Sequence, residues 1–367
     1  NDRGEDMKFI FAPDSFKGSL TSLEVIACLE KYAKIYFPEA ETLSVPMADG
    51  GEGTIDALLA PLGGLREEVT VTGPMGEMTT AVIGYIHGGQ TAVLEMAQAS
   101  GLMLTGPFKD PFMASSRGTG QMIEHVLKKG IRNIVIGIGG SATNDGGMGA
   151  LDALGVSFFD ADGNRLSGCG ADLKKVVRID TGDIAKRFCD VKVSVICDVT
   201  NPLLGENGAT YVYGPQKGVK QEEIERLDRD MDSYAGVVEE VLQKSIRNVP
   251  GAGAAGGMGA ALLGFLNAEL KPGIEVVLDM VNFDLLVKDA SLVVTGEGKI
   301  DRQSVEFGKA PSGVIKRCKP YGIPVAIITG CMGPDAQLVY KEYTASIMTT
   351  VNDIMTIEYA MNNALEL

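Results

Sequence analysis

The sequence predicts an α/β protein of two domains, and three observations carry that prediction. Short apolar runs near both chain ends are each followed by a polar or glycine-rich loop and then a helical pattern, the order that builds a parallel sheet. Near Gly63-Gly64 the texture changes to alternating or apolar runs separated by Gly-Pro and Gly-Gly turns. From Ala290 the first texture returns. The economical partition is a Rossmann-like domain with a parallel sheet, made from residues 7–65 plus 285–367. A second α/β domain with a mixed sheet is inserted as residues 66–284.

Lys8–Pro13 (KFIFAP) is a short apolar run closed by a polar turn and reads as a buried strand. Asp14-Ser15-Phe16-Lys17-Gly18 follows, and Thr21-x-x-Glu24 spells a capping box. Leu20, Leu23, Ile26, Ala27 and Cys28 then recur at helical spacing toward Phe37-Pro38. Thr42–Pro46 is the second strand, leading through Met47–Thr54 (MADGGEGT) to a helix ending at about Leu59. In the insert, Glu68–Thr72, Thr79–Tyr85 and Thr91–Met96 read as an antiparallel meander. A helix at about Gln121–Lys129 stops on Gly130, and Asn133–Ile138 and Val191–Cys197 are buried strands. The closing elements are strand Leu292–Thr295, helix Gly313–Lys319 and strand Pro324–Thr329.

Composition narrows the function. With 45% hydrophobic and 22% charged residues the chain is globular rather than disordered. Lys plus Arg is 33 against 48 for Asp plus Glu, a formal charge of −15, so the basic stripe of a nucleic-acid binder is not expected. ATP remains compatible, because local amides, Mg²⁺ and a few lysines suffice to hold it. Gly accounts for 47 of 367 residues, well above the usual ~7%, which signals many tight turns. Six cysteines without a CxxC pair read as reduced thiols in a cytoplasmic protein. His87 and His125 are the only histidines, which excludes a His-rich zinc site. No apolar run approaches the ~18–20 residues of a membrane helix. The polar stretch Asn1–Asp6 ahead of Met7 reads as a non-native leader.

Several loops have the residues for chemistry. Gly139-Gly140-Ser141-Ala142-Thr143-Asn144-Asp145-Gly146-Gly147 follows the strand NIVIGI and precedes a small-residue helical stretch. Glycines let amides turn toward a phosphate, and a helix N-terminus adds a favourable dipole. The alternative is a tight strand-to-helix turn with packing glycines. Thr295–Ser304 (TGEGKIDRQS) runs on to Gly308-Lys309, setting Glu297 and Asp301 beside Lys299, Arg302 and Lys309. Carboxylates can position Mg²⁺ and cations can neutralise phosphate charge, although a solvated loop of mixed charge has the same composition. Asp14-Ser15-Phe16-Lys17 and Asp49-Gly50-Gly51 occupy equivalent places after the first two strands, where turn and N-cap roles compete with function. Asp198 ends the apolar strand VSVIC and suits a general base, a metal ligand or a plain turn. Gly251–Gly256 matches GxGxxG formally but follows no strand, so it reads as a loop opening a small-residue helix.

Taken together, these segments resemble the type-one glycerate kinase family, the bacterial glycerate 2-kinases. The resemblance is carried by Ala12–Leu20 (APDSFKGSL), Pro46–Thr54 (PMADGGEGT), Gly137–Gly149 (GIGGSATNDGGMG), Cys197–Pro202 (CDVTNP), Gly251–Gly259 and Thr295–Pro311 (TGEGKIDRQSVEFGKAP), in the family's order. Lys299 stands where Arg is common in the family, a change that keeps the charge. The resemblance implies two α/β domains joined by a hinge, with a cleft between them. It also implies ATP-dependent phosphorylation of D-glycerate to 2-phosphoglycerate. For that reaction the expected catalytic residues are Asp198, Asp14 and Lys17, with Asp198 the preferred base. The expected substrate- or nucleotide-binding set is Ser15, Asp49, Gly50, Gly51, Gly139, Gly140, Ser141, Asn144, Asp145, Ser304 and Lys309. Glu297 and Asp301 are the expected Mg²⁺ contacts, direct or through water. Partners are small molecules, D-glycerate and ATP, with homo-oligomerisation left open. Phosphorylation at the 3-hydroxyl and a non-catalytic organic-acid sensor stay as alternatives. An NAD-dependent dehydrogenase is disfavoured by the lack of a strand-borne GxGxxG and of a placed proton-relay histidine.

Overall fold

The computed structural model describes residues 7–302, 310–342 and 344–367. In chain order its strands are β1 (Lys8–Pro13), β2 (Glu41–Ser44), β3 (Leu65–Thr72), β4 (Met78–Ile86), β5 (Thr91–Glu95), β6 (Asn133–Gly137), β7 (Ser157–Phe159), β8 (Arg178–Asp180), β9 (Lys192–Ile196), β10 (Glu269–Lys271), β11 (Leu292–Ile300), β12 (Val325–Met332) and β13 (Ala345–Thr349). The chain divides into two compact units: Asn1–Ala48, Asp56–Gly63 and Pro272–Leu367 in one, Asp49–Ile55 and Gly64–Lys271 in the other. Residues 272–284 and the short stretches 49–55 and 64–65 thus lie on the opposite side of the partition from the one drawn on sequence.

The first unit holds a five-stranded sheet in the order β13-β12-β11-β1-β2, parallel throughout. Phe9, Ile10, Phe11 and Ala12 on β1 are all buried, as both faces of a parallel strand are when helices cover the sheet. One face packs Phe9, Phe11 and Val294 against Ile26 and Ala33 of the helix Ser22–Tyr36. That helix starts with the capping box read from sequence, Thr21 N donating to Glu24 Oε2 (2.8 Å) and Glu24 N to Thr21 Oγ1 (3.2 Å). Strand order reverses between β1 and β11, so the ligand-binding crevice of such a sheet opens at their carboxyl ends.

β11 departs from the sequence reading, which ended it at Thr295. Pairing with β12 continues through Glu297 opposite Thr329, Lys299 opposite Cys331 and Ile300 opposite Met332. Backbone pairing outweighs the glycine-rich composition here. Gly296 is required for it, since a Cβ there would lie 2.2 Å from Ile328 O.

The second unit holds a six-stranded mixed sheet, β10-β9-β6-β5-β4-β3. β3, β4 and β5 form the expected antiparallel meander, while β5, β6, β9 and β10 are parallel. Ile83, Leu94, Ile136 and Val195 from the sheet share one core with Met122, Leu227 and Met231 from helices. The helix Arg117–Lys128 begins four residues before its expected start. Glycines discourage a helix by propensity, but Gly118 and Gly120 let its first turn touch backbone: a Cβ would stand 2.1 Å from Thr72 O and 2.2 Å from Ala150 O respectively. The helix Gln221–Leu242 buries Ile224, Leu227, Met231, Tyr234, Ala235 and Val238 at helical spacing. Among the described residues, no helix is long and apolar enough to cross a membrane.

Candidate active site

In the first unit the chemistry-bearing segments gather at the strand-order reversal. Asp14 leaves the end of β1 with its N–H donating to Gly296 O (2.8 Å), and its Oδ1 accepts from Ser15 N (2.6 Å). Gly298 of β11 lies against the same loop, where a Cβ would be 3.3 Å from Phe16 Cα and 3.4 Å from Lys17 N. Ser15 and Asp14 are half-buried and Lys17 is exposed, while Glu297 on the neighbouring strand is buried. The structure therefore brings Asp14, Ser15 and Lys17 beside the β11 edge that carries Glu297. Ser304 and Lys309 lie outside the described residues.

Glu297 and Lys299 stand two residues apart on β11, and Asp301 follows directly after its last residue, Ile300. Lys299 Nζ stands 3.8 Å from Asp301 Oδ2. A strand rise of ~3.3 Å per residue sets Glu297 and Asp301 up to about 13 Å apart at Cα, a spacing that suits one direct and one water-mediated contact better than two direct ones. No group of three or more His, Cys, Asp or Glu that could hold a metal occurs among the described residues. The pair Glu297 and Asp301 fits Mg²⁺ rather than a fully protein-ligated ion, because Mg²⁺ keeps several waters and takes one or two carboxylates along with substrate phosphates.

In the second unit two glycine segments are packed backbone to backbone at the ends of β6 and β9. Gly139 N donates to Gly50 O (3.0 Å). A Cβ on Gly139 would lie 3.0 Å from Gly51 Cα, and one on Gly50 would lie 2.5 Å from Ile196 Cγ2. Asp49 is exposed and turns back to accept from Gly51 N (3.0 Å). The loop after β6 is pinned further by Leu102 N to Gly140 O (2.8 Å) and Ala142 N to Ser100 O (2.9 Å). Asp198 is exposed just beyond β9, and since Gly137 pairs with Ile196, the loops carrying Gly139 and Asp198 leave the sheet from directly opposed residues.

Asp145 is fully buried, and both its oxygens are used by the protein. Oδ2 accepts from Ser116 N (2.8 Å), Ser116 Oγ (2.7 Å) and Gly149 N (3.3 Å), and Oδ1 accepts from Gly147 N (3.1 Å). Burial pushes its carboxyl up in pKa, and these donated bonds push it back. Ala150 N goes to Ser116 Oγ (3.0 Å). The amides opening the six-residue helix Met148–Ala153 are thus satisfied internally, so the helix dipole invoked from sequence is spent on Asp145. Asn144 is also fully buried, its Nδ2 donating to Thr210 Oγ1 (3.1 Å).

One residue of this site carries no mark in the sequence. Lys217, in the turn Pro215–Lys217, is 2% exposed. Its Nζ donates to Ser141 Oγ (2.8 Å) and to Thr143 O (2.7 Å), directly behind the glycine loop. Burial drives its pKa down to about 7, with Asp145 pulling the other way. A lone Lys in Gly-Pro-Gln-Lys-Gly is indistinguishable from a surface lysine, since nothing local reports that tertiary contacts enclose it.

Comparison with known proteins gives the family. Residues 9–367 match the model of the Glycerate kinase family. The chain is 45% identical over 361 residues to glycerate 2-kinase of Escherichia coli K12, covering 98% of this chain and 94% of that protein. It is 45% identical to glycerate kinase of Halalkalibacterium halodurans, over 96% and 93% of the two chains. A crystal structure from Salmonella typhimurium LT2, of a protein provisionally named glycerate kinase 2, matches with a TM-score of 0.85 at 43% identity, covering 98% of this chain and 94% of that one.

Proposed function

The chain belongs to the glycerate kinase family, and from that premise we infer that it transfers a phosphoryl group from ATP to D-glycerate, giving 2-phosphoglycerate and ADP. It is a phosphotransferase with an alcohol acceptor. The observation that supports a catalytic site most directly is positional. In both units the loops with chemistry sit at the carboxyl ends of parallel strands: Asp14 after β1, Glu297 near the end of β11, Gly139–Asn144 after β6 and Asp198 after β9.

Phosphoryl transfer asks little covalent chemistry of a protein and much positioning and charge stabilisation. Gly139, Gly140, Ser141 and Asn144 form the anion-holding segment, with Asp145 bracing it from inside and Gly50 and Gly51 setting its path. Asp14 and Ser15 at the end of β1, with Lys17 exposed beside them, supply a carboxylate, a hydroxyl and a cation in the first unit. Asp198 accepts or orients the proton of the reacting hydroxyl. Mg²⁺ when bound neutralises phosphate charge, and Glu297 and Asp301 are the carboxylates that would hold it, one directly and the other through water. Six free thiols and the small-molecule substrates agree with a cytoplasmic setting.

A coupled assay for ADP with glycerate as acceptor tests the activity, and a phosphorus NMR spectrum of the product tests the position. We expect a 2-phosphoglycerate resonance. Binding of glycerate without ADP formation would turn the reading toward a sensor, and a 3-phosphoglycerate product would overturn the regiochemistry.

A further inference from the structure

We propose that Lys217 is a positioning residue for anion binding: it holds the Ser141 hydroxyl as a hydrogen-bond donor to an anionic substrate oxygen, either the glycerate carboxylate or a nucleotide phosphate. The proposal rests on the reading of the Gly139–Asn144 loop as the anion-holding segment. Lysine is almost never fully buried unless paired, yet Lys217 is 2% exposed and its two hydrogen bonds go to a hydroxyl and a carbonyl. Enclosing a cation costs stability that a neutral donor to Thr143 O would not cost. Such a group beside a glycine loop belongs to a site rather than to packing.

The hydrogen-bond arithmetic gives the role. An ammonium is donor-only, so Ser141 Oγ accepts from Lys217 and its own O–H turns away from the ammonium. A neutral amine accepts, so on deprotonation Ser141 can donate inward and is withdrawn from the anion. The same loop has one further hydroxyl not consumed internally: Thr143 Oγ1 is fully buried without a hydrogen-bond partner among the described residues. Asp145 is the charged group facing Lys217 from the loop and favours its protonated form. Neighbouring elements also bring Lys109, whose Nζ donates to Gln216 O (3.2 Å), and Tyr213 and Tyr234, both pushed up by burial. Lys217, whose pKa lies near 7, is therefore the group that changes charge around neutral pH.

The test is KM for glycerate and for ATP, each as a function of pH, in wild type, Lys217→Met, Ser141→Ala and the double variant. In wild type the KM of the substrate held by the loop should rise above pH ~7. Lys217→Met and Ser141→Ala should each raise that KM by about 10–100-fold at pH 6, the range for a hydrogen bond to a charged group, with kcat changed much less. Both variants should lose the pH-dependent rise, and the double variant should be no worse than the single ones. A rise confined to glycerate assigns the carboxylate, and one confined to ATP assigns the phosphate. Wild-type KM and pH profile in a folded Lys217→Met overturns the proposal. If that variant does not fold, a Ser141→Ala enzyme that keeps the wild-type pH rise overturns it equally. The anion-loop reading itself fails separately, if Ser141→Ala and Gly140→Val both leave the two KM values unchanged.

Discussion

Asp198 and Asp145 are both loop aspartates, and burial separates their roles. Asp145 has no exposed surface and four protein donors, so it stabilises the loop by satisfying amides that would otherwise be buried unpaired at about 1–3 kcal/mol each. Asp198 is exposed at the end of β9, as its proposed role as base requires. Neither histidine competes for the proton: His125 lies against Glu67 (3.2 Å) and His87 sits in the turn His87–Gly89 after β4. Asp198→Asn should therefore lower kcat by roughly 10²–10⁴ with glycerate and ATP binding retained, measured by steady-state kinetics beside direct binding. A drop below about tenfold would move the role to Asp14, and a loss confined to glycerate KM would make Asp198 a binding residue. Sequence alone identified both residues as loop carboxylates after buried strands. It had no means to tell the braced one from the accessible one, because that depends on Ser116, 29 positions away from Asp145.

At the scale of elements, β11 shows how pairing sets the chemistry of a segment. As a flexible loop, Glu297 and Asp301 would be free to converge on one ion. With Glu297 held in the paired strand and Asp301 just past its end, beside Lys299, the proposed Mg²⁺ site takes one carboxylate directly and the other through water. Glu297→Gln and Asp301→Asn should each raise the Mg²⁺ concentration for half-maximal rate, by about 10–100-fold for the water-mediated partner. A titration of rate against Mg²⁺ checks this, and an unchanged Mg²⁺ requirement in both variants removes the assignment. The helix Arg117–Lys128 makes a parallel point: its first-turn glycines look like breakers in sequence and act as contact points in the fold.

For the whole molecule, two groups give stability a pH dependence with signs that can be worked out. Glu67 Oε2 accepts from Lys129 Nζ (2.6 Å) and Tyr85 OH (2.5 Å) and faces His125, and these partners, Lys129 first, hold its pKa down at about 2. A lowered carboxyl pKa adds stability above the unfolded value of 4.5 that is lost as pH falls toward 2. Lys217 is lowered from 10.5 to about 7, so the unfolded chain binds more protons between those values and stability rises with pH across that window. Urea midpoints should thus show Glu67→Gln less stable than wild type at pH 6, with less than half of that gap left near pH 3. Lys217→Met should flatten the rise above pH 7. An acid-side gap that does not shrink, or an alkaline rise that persists in Lys217→Met, would contradict these assignments.

The sequence by itself determined the α/β class, the parallel and mixed sheets and the family, and it singled out the loops proposed to carry chemistry. Each of these is written locally: in apolar run length, in a capping box such as Thr21-x-x-Glu24, and in glycine- and carboxylate-rich spellings after strands. Tertiary structure decided the length of β11, the closing of Asp145 around its own helix and the burial of Lys217 behind Ser141. Those depend on partners far along the chain, 76 positions in the case of Lys217 and Ser141. Local composition cannot encode which side chains a fold will enclose together, because burial and pairing are properties of the packed chain rather than of any one segment.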